Sequence, residues 1–229
     1  MRWIPFCWFF WSYCYNVGLW AQDTAQLNKY FRFTDGVYLS WNAFRQNRPE
    51  WPAQELSMLA FTNPKNKRTV VEWIRTRQDQ NLPIDSIIVL VRQGVPFLAL
   101  PSAWTGDTIV TFVPLKVRGK ICYLTYPDTE LEVRTFAAFN PKTGRPFRRA
   151  VVQRSKDVIR QKIVFFPTGE ILDFTKENLR KLVADDPTVA AMIDALPERA
   201  TDQQLYHILI TYDSRHPVWL PISPRMQGE

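Results

Sequence analysis

Hydrophobic periodicity changes once along this chain, and the change limits the folds open to it. Between residues 37 and 174 the apolar residues come in short runs or strict alternation, bounded by Gly, Pro, Asn and Asp. From Thr175 onward they recur at helical spacing. Strands followed by helices are the pattern of an α+β fold. The expectation is a curved antiparallel β-sheet, open or closed into a barrel, followed by a C-terminal helical cap.

The individual signals are local. Asp35-Gly36 is turn chemistry before the strand Val37-Tyr38-Leu39, and Ser40 stands where it can cap a helix through Asn47 with Trp41 and Phe44 on one face. TVVEWIRT (69–76) reads as a strand, and SIIVLVRQGVPFLAL as two strands about Gln93-Gly94. DTIVTFVPLKVRGKICYLTYP predicts a hairpin turning at Arg118-Gly119. ELEVRTF predicts a strand whose wet face carries Glu130 and Glu132. After the turn NPKTGRP, FRRAVVQRS and DVIRQKIVFF read as two more strands, and TGEILDF closes the β part. Thr175 opens a helix with Leu179, Leu182 and Val183. Asp186-Pro187 restarts one through Ala195-Leu196, and Thr201-Asp202 starts a third with Leu205, Ile208 and Leu209 on one face. These signals divide the chain into a β-rich domain (22–173), a helical segment packed on it (174–215) and an extended, partly frayed tail (216–229). Residues 22–35 read as a polar lead-in with a short helical turn at 27–31.

The first 21 residues follow a different logic. Arg2 is followed by no charged side chain from Trp3 to Trp20, and Ala21 precedes the polar run from Gln22. Positive start, apolar middle and small residue at the end form the order of a secretory signal, so cleavage after Ala21 is expected. About 18 apolar residues just span a bilayer, which leaves an N-terminal inner-membrane anchor as the alternative. Ser12, Tyr13, Tyr15 and Asn16 weigh against it, being costly in hydrocarbon. Removing the signal takes Cys7 and Cys14 and leaves Cys122 with no internal disulfide partner, so the exported chain is held by its core alone. In GKICYLTY this cysteine reads as a small buried hydrophobe rather than a nucleophile. No second apolar run is long enough for a transmembrane span.

Motifs for chemistry are missing. The chain has no GxGxxG, GxxxxGK[ST], GxSxG or HExxH and no paired-cysteine spacing. Glycine is scarce (8) beside proline (17), which leaves few loops able to cradle a phosphate. No cofactor and no metal site is called for. The two histidines, His207 and His216, flank Asp213, and these three are the residues a hydrolase reading would use. Asp185-Asp186 before Pro187 reads as a helix stop and the next N-cap. Trp104, in PSAWTGD, reads as an exposed loop tryptophan.

The strongest local bias is basic. KTGRPFRRAVVQRSKDVIRQK holds Lys142, Arg145, Arg148, Arg149, Arg154, Lys156, Arg160 and Lys162 against the single acid Asp157. On a hairpin, Arg148, Arg154, Arg160 and Lys162 share a face by alternation. Exposed strand arginines commonly serve solubility and protect sheet edges. A face of this kind also attracts anionic partners. For an exported chain these are an envelope glycan or lipid, or another envelope protein, with nucleic acid not expected.

Two stretches resemble uncharacterised exported proteins of Bacteroidetes-type bacteria. DGVYLSWNAFRQNRPEWP is similar to their DGxYxSFxxFxxNxP opening, with Trp41 where Phe stands in the pattern. TGEILDFTKENLRKLVADDPTVAAMI, followed by YDSRHPVW, is similar to their tail, with Tyr212-Asp213 in place of Tyr-Asn. The resemblance implies an envelope or secreted location in a Gram-negative cell and transfers no catalytic residue. The leading expectation is therefore a non-catalytic binding or structural module, with Arg145, Arg148, Arg149, Arg154, Lys156, Arg160 and Lys162 as its contact surface. The rival expectations are an envelope-directed hydrolase and a signal-anchored partner of a membrane complex.

Overall fold

A computed structural model describes residues 23–65, 67–105 and 109–222; the side chains at 103, 105, 138 and 146–150 lie outside the description, as does the stretch read above as a signal. In chain order the elements are β1 (Thr24–Gln26), β2 (Gly36–Tyr38), α1 (Trp41–Arg45), β3 (Trp51–Pro52), β4 (Leu56–Thr62), β5 (Thr69–Thr76), β6 (Val89–Arg92), β7 (Val95–Leu100), α2 (Ser102–Thr105), β8 (Thr111–Pro114), β9 (Ile121–Phe139), β10 (Pro146–Phe165), β11 (Glu170–Asp173), α3 (Lys176–Leu182), α4 (Pro187–Asp194), α5 (Asp202–Arg215) and β12 (Trp219–Pro221). The fold is α+β, as the change in periodicity predicts.

The main sheet is antiparallel, in the order β3-β2-β6-β7-β8-β5-β4. Its edge strands β3 and β4 are joined by the single 3₁₀ turn Ala53–Glu55, so the sheet curls into a nearly closed barrel. Side-chain alternation then sorts the strands into two apolar faces. Val37, Leu90, Val71 and Phe112 fill one cluster, with Phe97, Ala99 and Met58 packed against it. Tyr38, Val89, Val91, Leu98, Leu100 and Val113 point the other way.

That second face meets the base of a separate sheet, ordered β11-β10-β9. Cys122, Leu124, Tyr126 and Val164 turn toward the barrel. Ile121 and Ile163, one residue out of phase, turn toward α3, α4 and α5, where Leu179, Val183, Val189, Ile193, Leu205, Leu209 and Tyr212 pack on them. The base of the β9–β10 ribbon is thus a middle layer, buried on both faces. Each helix begins as the sequence reading expects. Thr175 accepts from the Asn178 N–H, Asp186 from those of Thr188 and Val189, and Thr201 forms a capping box with Gln204.

The DGVYLS segment is a structural hub. The Asp35 carboxylate accepts the N–H groups of both turn residues, Gln93 (2.9 Å) and Gly94 (2.6 Å). Their φ values of 53° and 72° are those of a primed hairpin turn. The Tyr38 hydroxyl donates to the Thr34 carbonyl. Asn47 is buried; it accepts the Thr34 N–H (2.8 Å) and donates to the Pro221 carbonyl (3.0 Å).

Several expectations are corrected. Residues 111–126 do not form one hairpin. The turn at Arg118-Gly119 exists, closed by a bridge between Val117 and Tyr123, but β8 pairs with β5 and β7 while β9 leaves for the other sheet. FRRAVVQRS and DVIRQKIVFF are one continuous strand, and ELEVRTF is the outer part of another. The lead-in is not merely polar, since Leu27, Phe31 and Phe33 are core residues. The tail is not frayed at 219–221, because β12 pairs with β1 and buries Leu220.

Candidate functional site

Beyond its buried base, the β9–β10 ribbon keeps going. From Pro127 with Ile159 to Phe139 with Pro146 the two strands stay in register, with one irregularity at residues 146–148. At about 3.3 Å per residue this outer part is about 40 Å long. Among the described residues its ladder joins only its own two strands, and most of its described side chains are exposed. Asn140 closes the tip, its carbonyl accepting from the N–H of Gly144, which has a φ of 64°.

The two faces of this arm differ. On one face, acids and bases alternate across the ladder. Arg154 stands directly opposite Glu132, and Lys156 opposite Glu130. Arg160 binds Asp128 (2.9 Å) and Glu130 (2.6 Å), and Arg134 binds Glu132 (2.9 Å). The Arg160 guanidinium holds the Asp128 carboxyl below its ordinary range. Lys162, at the base, binds Asp173 (2.7 Å) and lies 4.4 Å over the Trp104 ring. Trp104 is therefore half-buried against the core rather than a free loop tryptophan. Phe136 and Val152 end this face near the tip, both exposed.

The opposite face carries Leu131, Val133, Val151, Ile159 and Phe139, every one more than half exposed. Between them stand Thr129, Thr135, Gln153 and Ser155. Among the described side chains of this face, Asp157 is the charged one. These apolar residues were missed by reasoning that followed only the basic run. The signal was present in ELEVRT, where charge and apolarity alternate strictly.

The candidate contact residues distribute along the arm. Arg145 lies in the exposed tip turn. Arg148 and Arg149 lie in β10 opposite Ala138 and Ala137. Arg154, Arg160 and Lys162 share the charged face, as alternation predicts, and Lys156 lies on it with them.

The histidine reading is not supported. His207 is exposed on α5. His216 closes that helix and bonds Asp186 (3.0 Å), as does Arg215 (2.6 Å). The Arg215 guanidinium holds the Asp186 carboxyl far below the usual carboxylate range. Asp213 points elsewhere, accepting the Ile121 N–H (2.8 Å) beside Gly119. The three never converge, and no cluster of three His, Cys, Asp or Glu able to hold a metal occurs among the described residues. Burial pushes the Cys122 thiol up to about 12, so it is inert, as expected of a core cysteine.

A cleft of about 1010 Å³ lies along β4 and β5, lined by Leu59, Phe61, Trp73, Ile84 and Ile109 among others. Arg75 stacks on Trp73 there, but its guanidinium is already bonded to Asp79 and Asn81. No helix of the described residues is long and apolar enough to cross a membrane. No protein-family model, curated protein or solved structure matches the chain.

Proposed function

We propose that this chain is an exported, non-catalytic interaction module of the bacterial envelope, with the β9–β10 arm as its contact element. The observation that carries this reading is a ribbon about 40 Å long that contributes nothing to the core beyond its base. It displays large apolar side chains on one face. Monomeric proteins seldom leave such a patch bare unless it binds something. The acids of the charged face are held by Arg134 and Arg160, and the bare apolar face opposite favours a protein partner over a purely anionic surface. Lys142 and Arg145, at the tip, remain available to anionic groups.

Glu130 and Lys156 are directly paired, so residues 131–155 can be replaced by Asn-Gly to leave a two-residue hairpin. The shortened chain should melt with the same midpoint as the full chain and lose its association with washed envelope fractions. Unchanged association would refute the arm as the contact element. Replacing Arg148, Arg149 and Arg154 by Ser separates the charge component: binding that stays intact and insensitive to salt would exclude an anionic ligand for the basic residues.

A further inference from the structure

Resting on the reading of the arm as a contact element, we infer that its apolar face binds the same face of a second copy of this chain. On the charged face Arg160 holds Asp128 and Glu130, and Arg134 holds Glu132, so its acids already have cations and offer nothing to a basic partner. The other face cannot be matched by a strongly charged surface without stranding those charges. Lipid is a poor occupant too, since Gln153, Ser155 and Asp157 lie within this face and are costly in hydrocarbon.

A second copy fits by symmetry. The ladder pair Val133–Gln153 stands at the middle of the arm. A two-fold axis through that pair, in the plane between two stacked ribbons, lays β9 over β9 and β10 over β10 with strand directions reversed. Val133 then meets its own mate, and Leu131 falls beside Thr135 and Val151 of the other copy. Pro127 falls over Phe139. Asp157, the charged residue among the described side chains of the face, comes over position 149, where the sequence has arginine. The face is thus complementary to itself, as an isologous contact requires. The other in-plane axis, along the strands, leaves Asp157 over Thr129.

The contact is modest. An arm of this length and width covers roughly 500 Å² per copy and about 1,000 Å² for the pair, the lower bound of a specific interface. The dimer should therefore be reversible, with a dissociation constant of the order of micromolar.

The test uses the full chain. Sedimentation across about 1 to 100 μM should show monomer passing to dimer. Val133→Glu, which sets two carboxylates against each other on the axis, should keep the chain monomeric with its melting midpoint unchanged. Gln153→Cys should be cross-linked to its mate by a short bismaleimide, which spans the roughly 10 Å between stacked ribbons that a disulfide cannot. Thr129→Cys should not, because its mate lies roughly 26 Å away; it carries the same native cysteines and so controls for them. A chain that stays monomeric throughout, or cross-links equally at both positions, overturns the inference. So does a monomer that co-sediments with phosphatidylglycerol vesicles, which would assign the face to lipid. If the dimer fails while the arm-shortened chain still loses its envelope association, the contact element stands and the partner is a different protein.

Discussion

Asp213 makes a sharp prediction about pH. The residue is half-buried, but its Oδ2 is shut off from solvent and has no hydrogen-bond partner. Oδ1 accepts the Ile121 N–H at 2.8 Å. Burial outweighs this bond, the backbone bond from Lys120 and the Lys120 charge, and raises the carboxyl from its ordinary 3.8 to about 7. The native chain therefore holds this proton more tightly than the unfolded chain does. The stability linked to it is fully present below pH 3.8, falls as pH rises through about 7, and is flat above. At about 1.4 kcal/mol per tenfold change in proton affinity, the whole step is up to about 4 kcal/mol. Asp213→Asn keeps the shape and the Oδ1 acceptor and cannot ionise. Urea unfolding of both chains from pH 4 to 8 should give curves that lie together at the acid end. They should diverge toward pH 8, where the variant is the more stable. Asp186 does not confuse the comparison: its carboxyl is held low by Arg215, so its contribution is lost only as pH falls below the ordinary carboxylate range. A stability difference that stays constant from pH 4 to 8 would refute the assignment.

Three further outcomes follow from the same structure. A Cβ at Gly119 would sit 2.1 Å from Asp213 Oδ2, so Gly119→Ala should cost about 1–3 kcal/mol by urea unfolding, and less in an Asp213→Ala background, where the clashing carboxylate is gone. Asn47→Ala strands the Thr34 N–H and the Pro221 carbonyl together and should cost about 2–3 kcal/mol, read as a lower urea midpoint at constant slope. The intact mass of the native chain from fractionated cells should correspond to a start at Gln22; a full-length mass in the membrane fraction would instead support the anchor.

Local chemistry was legible wherever one segment decides its own conformation. Ser40, Thr175, Asp186 and Thr201 cap the helices their positions announce. Gln93-Gly94 turns the hairpin that its dipeptide predicts. What these signals do not carry is partner choice. The strand 111–114 has the same local appearance whether it pairs with β9 across the Arg118-Gly119 turn or, as it does, with β5 and β7. Barrel closure was hidden for the same reason, since it depends on β3 and β4 meeting at a three-residue turn. The N-terminal apolar residues Leu27, Phe31 and Phe33 are too irregularly spaced to show a period, yet they are buried once β1 pairs with β12.

The arm escaped notice because two local features pointed against it. Pro127 and Asp128 look like a strand end, and Ser155 to Asp157 look like a break between two strands. On an outer ribbon these objections lapse. A proline there removes only one ladder donor, and polar residues lie in water on an exposed face. The informative pattern was longer in range. The acids at 130 and 132 stand opposite the cations at 156 and 154 about the Asn140–Arg145 turn, Arg160 reaches diagonally to Asp128, and Leu131, Val133, Val151 and Ile159 share the alternate face, each opposite a different kind of residue. A basic run read alone predicts an anion-binding surface. The same run read against the acids of β9 predicts a ribbon whose acids are neutralised within it and whose alternate side is apolar and exposed.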